Sequence, residues 1–136
     1  CEINLADTVG YANPKQVKAL FGKLKDQIGN VPMAAHFHDT RGMGLANVVA
    51  ALQEGVRRFD STMAGLGGCP FAPGASGNIA TEDCVYLLES LGFNTSVNVD
   101  KLLELRHYLT DLLPNEKLEG RLGVAGTAIN FKKKLL

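Results

Sequence analysis

Val31-Pro32-Met33-Ala34-Ala35-His36-Phe37-His38-Asp39-Thr40 is the stretch on which the fold turns. Val31 to His38 reads as a β-strand, and the loop Asp39 to Gly44 leads into Leu45, Val48, Val49 and Leu52, whose spacing is that of one helix face. Gly55 closes this helix and Val56 to Ala64 reads as a further strand. The same alternation holds upstream. Glu2 to Thr8 is a predicted strand, and Asn13-Pro14 is an N-cap followed by proline at the first helical position. The predicted helix then carries Val17, Leu20, Phe21, Leu24 and Ile28 on one stripe and stops at Gly29. Strand starts at Glu2, Val31 and Val56 lie 29 and 25 residues apart. Alternation at that spacing means βαβ units, hence a parallel sheet with right-handed crossovers.

Periodicity alone does not choose between a (β/α)₈ barrel and a doubly wound sheet. A closed barrel of eight units takes roughly 250 residues, whereas this chain has 136. Three strands cannot close one. The chain also opens Cys1-Glu2-Ile3, without a methionine and at the threshold of a strand, so it is expected to be one end of a longer polypeptide. Downstream, Gly65 to Gly77 holds five glycines and two prolines and forms no regular element. A helix is predicted from Ile79 to Leu91, with Glu82 and Asp83 in its first turn and Gly92 beyond its end. Asp100 is expected to cap another, running to about Leu113, and the tail from Asn115 shows no period.

Composition narrows the function classes. With 46% hydrophobic residues the chain can bury a core, which excludes a disordered segment. Fourteen basic residues balance fourteen acidic ones, so the phosphate-neutralising surplus of a nucleic-acid binder is missing, and Lys132-Lys133-Lys134 is too short to supply it. Three cysteines at no repeated spacing fit thiols in a reducing compartment. No apolar run approaches the roughly 18 residues of a membrane helix, so no membrane partner is expected.

Functional residues on parallel strands gather at the carboxyl ends. His36 and His38 share one strand face there, while Phe37 points to the other, toward covering helices. Two imidazoles on one face can chelate a metal ion, or each can hydrogen-bond within the sheet. Asp7 with Thr8 after the first strand, and Asp60 in the third, could orient a histidine, bind a substrate hydroxyl or shuttle a proton. Equally, such a carboxylate could anchor a loop or cap a helix. The glycine-rich loop fails the dinucleotide fingerprint, because Pro70 stands at the last glycine of G-x-G-x-x-G, and no Gly-Lys-Ser/Thr follows. It does offer Cys69, a candidate proton donor or acceptor, and Asn78, which could give an amide oxygen to the same metal or cap the next helix. Cys84, on the stripe of that helix, reads as a buried apolar residue.

His36-Phe37-His38-Asp39-Thr40 with Gly42 and Asn47, followed by Ala64-Gly65-Leu66-Gly67-Gly68-Cys69-Pro70-Phe71-Ala72-Pro73-Gly74-Ala75-Ser76-Gly77-Asn78-Ile79-Ala80-Thr81-Glu82-Asp83, resembles the 3-hydroxy-3-methylglutaryl-CoA lyase family. The likeness runs from Asp7-Thr8-Val9-Gly10 to about Gly92 and more weakly through the helix near Asp100. Related synthases that condense acetyl-CoA with 2-oxo acids share the histidine pair, but their loop resembles Gly-Glu-Arg-x-Gly-Asn and lacks the cysteine.

The resemblance implies an α/β chain forming the C-terminal part of a (β/α)₈ barrel, with residues 1–92 as its last three βα units and 93–136 as a helical extension. It implies that His36, His38 and Asn78 bind a divalent metal, usually Mg²⁺ or Mn²⁺, that Cys69 and Asp7 are catalytic, and that Thr8, Gly67 and Gly68 serve the substrate and its loop. The remaining ligand, an aspartate beside a catalytic arginine on the first barrel strand, lies outside this sequence. It further implies a CoA-thioester substrate, an N-terminal barrel half as partner, a homodimer, and a bacterial cytoplasm or mitochondrial matrix as location.

Overall fold

Asn13 starts the first helix through a reciprocal cap. Its side chain accepts the N–H of Gln16, the Gln16 side chain accepts the N–H of Asn13, and Pro14 fills the first turn. A computed structural model describes residues 1–68, 74 and 77–131 and gives the order β1 Ile3–Asp7, α1 Pro14–Ile28, β2 Met33–Phe37, α2 Gly44–Gln53, β3 Arg58–Asp60, a 3₁₀ turn Met63–Gly65, α3 Thr81–Ser90, α4 Val99–Leu112 and α5 Leu122–Ala125. The strands are parallel in the order β1-β2-β3, with Ala6 beside His36 and His36 beside Asp60.

Strand alternation divides the sheet into two faces. Met33, Ala35 and Phe37 of β2 pack with Val17 and Phe21 of α1 and Val48 and Ala51 of α2, together with Ile79 and Cys84. This is the main core, and it covers one face only. Burial and the neighbouring Asp83 carboxylate push the Cys84 thiol up to about 11, which suits the apolar filler expected of it. Leu20, placed by periodicity on the same stripe as Val17 and Phe21, is 55% exposed. A second, smaller cluster joins Val85 of α3, Val99 of α4 and Leu122 of α5.

The chain departs from the sequence expectation at four places. The third strand ends at Asp60 rather than Ala64. Thr62 instead exchanges backbone hydrogen bonds with Ile79 and Thr81, and Ala64 sits at φ +57°, outside any strand conformation. Asn78 is no helix cap; α3 begins after Ala80, which offers no side-chain cap. The cap of α4 is Asn98, whose side chain accepts the N–H of Lys101, while Asp100 stands inside the first turn. The tail carries α5, which periodicity misses because it is a single turn held from outside. Asp83 accepts the N–H groups of Arg121 and Leu122, two donors that a four-residue helix cannot satisfy itself. Among the described residues no helix is long and apolar enough to cross a membrane.

Candidate active site

The uncovered face of the sheet presents Asn4 and Ala6 from β1, Ala34 and His36 from β2, and Arg58 and Asp60 from β3. Ala34 is small, so Asn4 reaches across β2 and donates from its amide to Asp60 Oδ2 at 2.8 Å. The same oxygen lies 3.6 Å from Nδ1 of His36. Asp60 therefore stands where a carboxylate orients an imidazole, and Asn4 holds the carboxylate. Sequence reasoning weighed Asp60 but missed Asn4, whose only signal is its even-numbered place on β1 with Ala6.

His38 continues the line of β2 beyond its last ladder residue. It forms an isolated bridge with Asn78 and is 7% exposed. The rings of His36 and His38 lie 5.2 Å apart between centroids and are tilted by 45°. The expected shared face is present, and Phe37 is buried on the opposite one.

Asn78 completes this group. Its side-chain NH₂ donates to the carbonyls of Leu66 at 2.9 Å and Gly67 at 3.2 Å. Carbonyls only accept, so these two bonds fix which end of the amide faces the loop. Oδ1 is left buried with no hydrogen-bond partner among the described residues. Buried acceptors are nearly always satisfied, so an unpartnered amide oxygen on the residue bridged to His38 is a candidate donor atom for a cation. Two imidazole nitrogens and an amide oxygen form a mixed set compatible with Mg²⁺, Mn²⁺ or other divalent ions. Among the described residues no cluster of three His, Cys, Asp or Glu side chains provides another metal site.

The loop is shaped to hold that amide. Gly67 adopts φ +94°, and a Cβ there would lie 3.1 Å from Asn78 Nδ2. A Cβ on Gly77 would fall 1.6 Å from the Gly65 carbonyl oxygen, so the two ends of the loop meet only because a glycine stands there. Gly68 is exposed at the edge of the described loop. Cys69, the catalytic candidate, lies outside the described residues, as do residues 70–73, 75–76 and 132–136.

Asp7 is placed differently from the sequence expectation of a side chain facing the site. Its ladder partner is Phe37, so alternation sets it on the helix side of the sheet. Its two oxygens accept the N–H groups of Tyr11 at 3.0 Å and Ala12 at 2.9 Å, anchoring the turn into α1. Thr8 is exposed in that turn. The Arg41 guanidinium braces the same turn, donating to the Gly10 carbonyl at 3.1 Å and lying 4.2 Å from the centre of the Tyr11 ring. Beside Asn78, a polar cleft of about 270 Å³ is lined by Asp39, Thr40, Asp83, Lys117 and Arg121 among others.

A parallel sheet with its core on one face, and with paired imidazoles and a bare amide oxygen at its strand ends, fits an arc of an α/β barrel with a candidate metal site. Residues 1–109 match the family model described as HMGL-like, and the chain belongs to that family. It is 52% identical over 104 residues to the hydroxymethylglutaryl-CoA lyase of Pseudomonas mevalonii, covering 76% of this chain and 35% of that protein. It is 47% identical over 124 residues to the mitochondrial hydroxymethylglutaryl-CoA lyase of Pongo abelii, covering 91% and 38% respectively. Among solved structures, an HMG-CoA lyase from Acinetobacter baumannii in complex with coenzyme A and 3-methylmalate superposes with a TM-score of 0.88 at 46% identity, over 97% of this chain and 43% of that one. The chain thus spans 35% and 38% of the length of these two curated relatives. Its fold is α/β, three consecutive βα units of a (β/α)₈ barrel with the helices that follow. Enzymes of the family are generally divalent-metal dependent, and the relatives include bacterial and mitochondrial proteins.

Proposed function

We propose that the polypeptide bearing this chain is a hydroxymethylglutaryl-CoA lyase, cleaving 3-hydroxy-3-methylglutaryl-CoA to acetyl-CoA and acetoacetate. The observation that carries the reading is the buried Oδ1 of Asn78, without a partner among the described residues, on the residue bridged to His38 of the His36–His38 pair. Family membership and the cysteine loop support this reading over a synthase on the same barrel. In the proposal residues 1–92 are the last three βα units, 93–136 a helical extension, and the other strands, with the remaining metal ligand and an arginine, come from the rest of the barrel. The assembled enzyme takes a CoA thioester and forms a homodimer; its location, bacterial cytoplasm or mitochondrial matrix, follows its source.

His36, His38 and Asn78 would hold Mg²⁺ or Mn²⁺, with Asp60 and Asn4 orienting His36. When bound, the cation supplies Lewis acidity toward the oxygens of the substrate. The substrate's tertiary hydroxyl gives up its proton, the ketone forms as the adjacent carbon–carbon bond breaks, and the electron pair passes into the thioester enolate. Cys69 donates the proton that converts this enolate carbon to the methyl of acetyl-CoA. For the hydroxyl proton the chain offers an imidazole on the face of the proposed ligands, or Asp7, which the turn into α1 holds on the helix side of the sheet. Each Asp7 oxygen accepts one backbone N–H and keeps a second lone pair, so the turn does not exhaust the carboxylate.

The test is an assay of the full-length polypeptide with Mn²⁺ for acetoacetate release, run beside one for acetyl-CoA-dependent condensation with 2-oxo acids. Release without condensation is expected; condensation alone overturns the lyase. Cys69→Ser should keep Mn²⁺ affinity while turnover falls by about 10² to 10⁴, the range of general acid–base catalysis. An unchanged turnover number removes Cys69 from the proton path.

A further inference from the structure

Glu82 is completely buried and Arg106 is 6% exposed, and neither takes part in the chemistry above. Arg106, on α4, donates from Nε to Glu82 Oε1 at 3.0 Å. Its two terminal nitrogens continue to the Thr110 hydroxyl at 3.1 Å and to the Glu119 carbonyl at 3.3 Å. One guanidinium therefore ties α4 to the start of α3 and to the segment ahead of α5. The fit is close: a Cβ on Gly123 would lie 2.9 Å from Arg106 Cγ.

What this pair grips is the residue just ahead of the glycine loop. The N–H of Ala64 donates to the Glu82 carboxylate, at 3.0 and 3.2 Å from its two oxygens, and the Ala64 carbonyl accepts the N–H of Glu119 at 2.8 Å. Both polar backbone groups of Ala64 are thus held by partners that Arg106 touches. The residue needs that grip, since φ +57° is a conformation that non-glycine residues avoid. Two and three residues on stand Leu66 and Gly67, whose carbonyls orient the Asn78 amide. A buried ion pair is a poor source of stability, because desolvation offsets its attraction. Its worth here is directional.

We infer that Arg106 is a positioning residue: acting through Glu82 and Glu119 it fixes Ala64, and through Ala64 the Leu66 and Gly67 carbonyls that aim Asn78 Oδ1. Its effect on metal rests on the reading of Asn78 as a ligand; its effect on the loop does not. Lysine can meet Glu82 but lacks the planar fork that also reaches Thr110 and Glu119.

The experiment uses the full-length polypeptide with Arg106→Met, Arg106→Lys and Glu82→Gln, following amide hydrogen exchange across residues 64–68, Mn²⁺ affinity, and kcat and KM separately. Arg106→Met should speed exchange in that segment by about tenfold or more, as expected when a local unit loses its tether. Mn²⁺ binding should weaken by about 10 to 100-fold, the usual cost of losing support behind a ligand. The deficit should fall on kcat more than on KM, and Arg106→Lys should recover part of each effect. If Arg106→Met does not fold, Arg106→Lys and Glu82→Gln carry the same readouts. Parent-like exchange at 64–68 in every folded variant overturns the inference, whatever happens to the melting temperature. Faster exchange with parent-like Mn²⁺ affinity overturns the link to Asn78. A parent protein that binds no Mn²⁺ defeats the metal reading alone, and the exchange measurement still decides the tether.

Discussion

β1 and β2 lead toward their helices through the same dipeptide and put it to the same local use, yet only the end of β2 carries the candidate ligands. Asp7, followed by Thr8, is the last residue of β1, and Asp39-Thr40 stands just past His38 at the end of β2. Asp7 accepts backbone N–H groups four and five residues ahead, and Asp39 accepts the N–H of Gly44, five ahead, at 2.6 Å. Each aspartate satisfies donors that the turn into the next helix leaves over. The difference lies one and three residues before Asp39, where His38 and His36 face the uncovered side of the sheet, and across from them in Asn78. The Asn78 amide spends its donors on the loop and keeps its acceptor. The turn after β1 takes one lone pair from each Asp7 oxygen, whereas the loop beside β2 takes only the donors of Asn78 and leaves its acceptor without a partner among the described residues.

Removing the most buried imidazole tests this contrast hardest. His38→Ala should reduce Mn²⁺ affinity by about 100-fold or more, since a missing ligand costs more than the 10 to 100-fold of a supporting contact. Equal affinity in mutant and parent, read by titration with Mn²⁺, removes His38 from the set. Asn78→Ala should act in the same direction. Asn78→Asp is more discriminating: a carboxylate still offers an oxygen to the cation but cannot donate to Leu66 and Gly67, so metal affinity and loop order should come apart. If Asn78→Ala binds Mn²⁺ as tightly as the parent, the orphan oxygen is a packing defect and the contrast between the two strand ends dissolves.

Much of this is legible in the sequence. Elements with their own period and caps, such as the Asn13-Pro14 helix and the strand carrying His36, are written locally and appear where expected. The histidine face follows from alternation alone. What escaped is what is written at long range. Glu82 reads as a residue complementing a helix dipole, yet its partners, Ala64 and Arg106, lie 18 and 24 residues away. Asn4 meets Asp60 at a separation of 56 residues, and Asp83 meets Leu122 at 39. A side chain's local pattern tells which way it points on its own element, not what another element will bring to it. Val56 to Ala64 was overextended for the same reason, because the chain after Asp60 pairs with residues 79 to 81 rather than continuing the ladder.

Asp60 sharpens the comparison by a smaller amount. Asp60→Asn keeps the shape and a bond to Asn4 but removes the charge 3.6 Å from His36 Nδ1. Mn²⁺ affinity should fall by about tenfold, the lower end for an outer carboxylate, because 55% of the Asp60 side chain is open to solvent that screens it. No change in affinity would leave His36 oriented by the sheet alone.

The smallest effect on metal is expected at Asp7, and it separates the two uses of that carboxylate. Asn at this position keeps one acceptor oxygen and loses the other, so one of the N–H groups of Tyr11 and Ala12 goes without its present partner. Asp7→Asn should lower stability by about 1 to 2 kcal/mol, the cost of one broken hydrogen bond to a charged group, seen as a fall in melting temperature with Mn²⁺ affinity unchanged. Turnover distinguishes the roles. A carboxylate that only anchors the turn would be mimicked by Asp7→Glu or bypassed once the turn is stabilised by other means, and kcat would follow the folded fraction. A carboxylate that also takes the hydroxyl proton cannot be replaced by an amide, so kcat of the folded Asp7→Asn protein should fall by about 10² or more. A folded Asp7→Asn enzyme with parent kcat would leave Asp7 to its turn and assign the proton to an imidazole at the end of β2, on the face opposite Asp7.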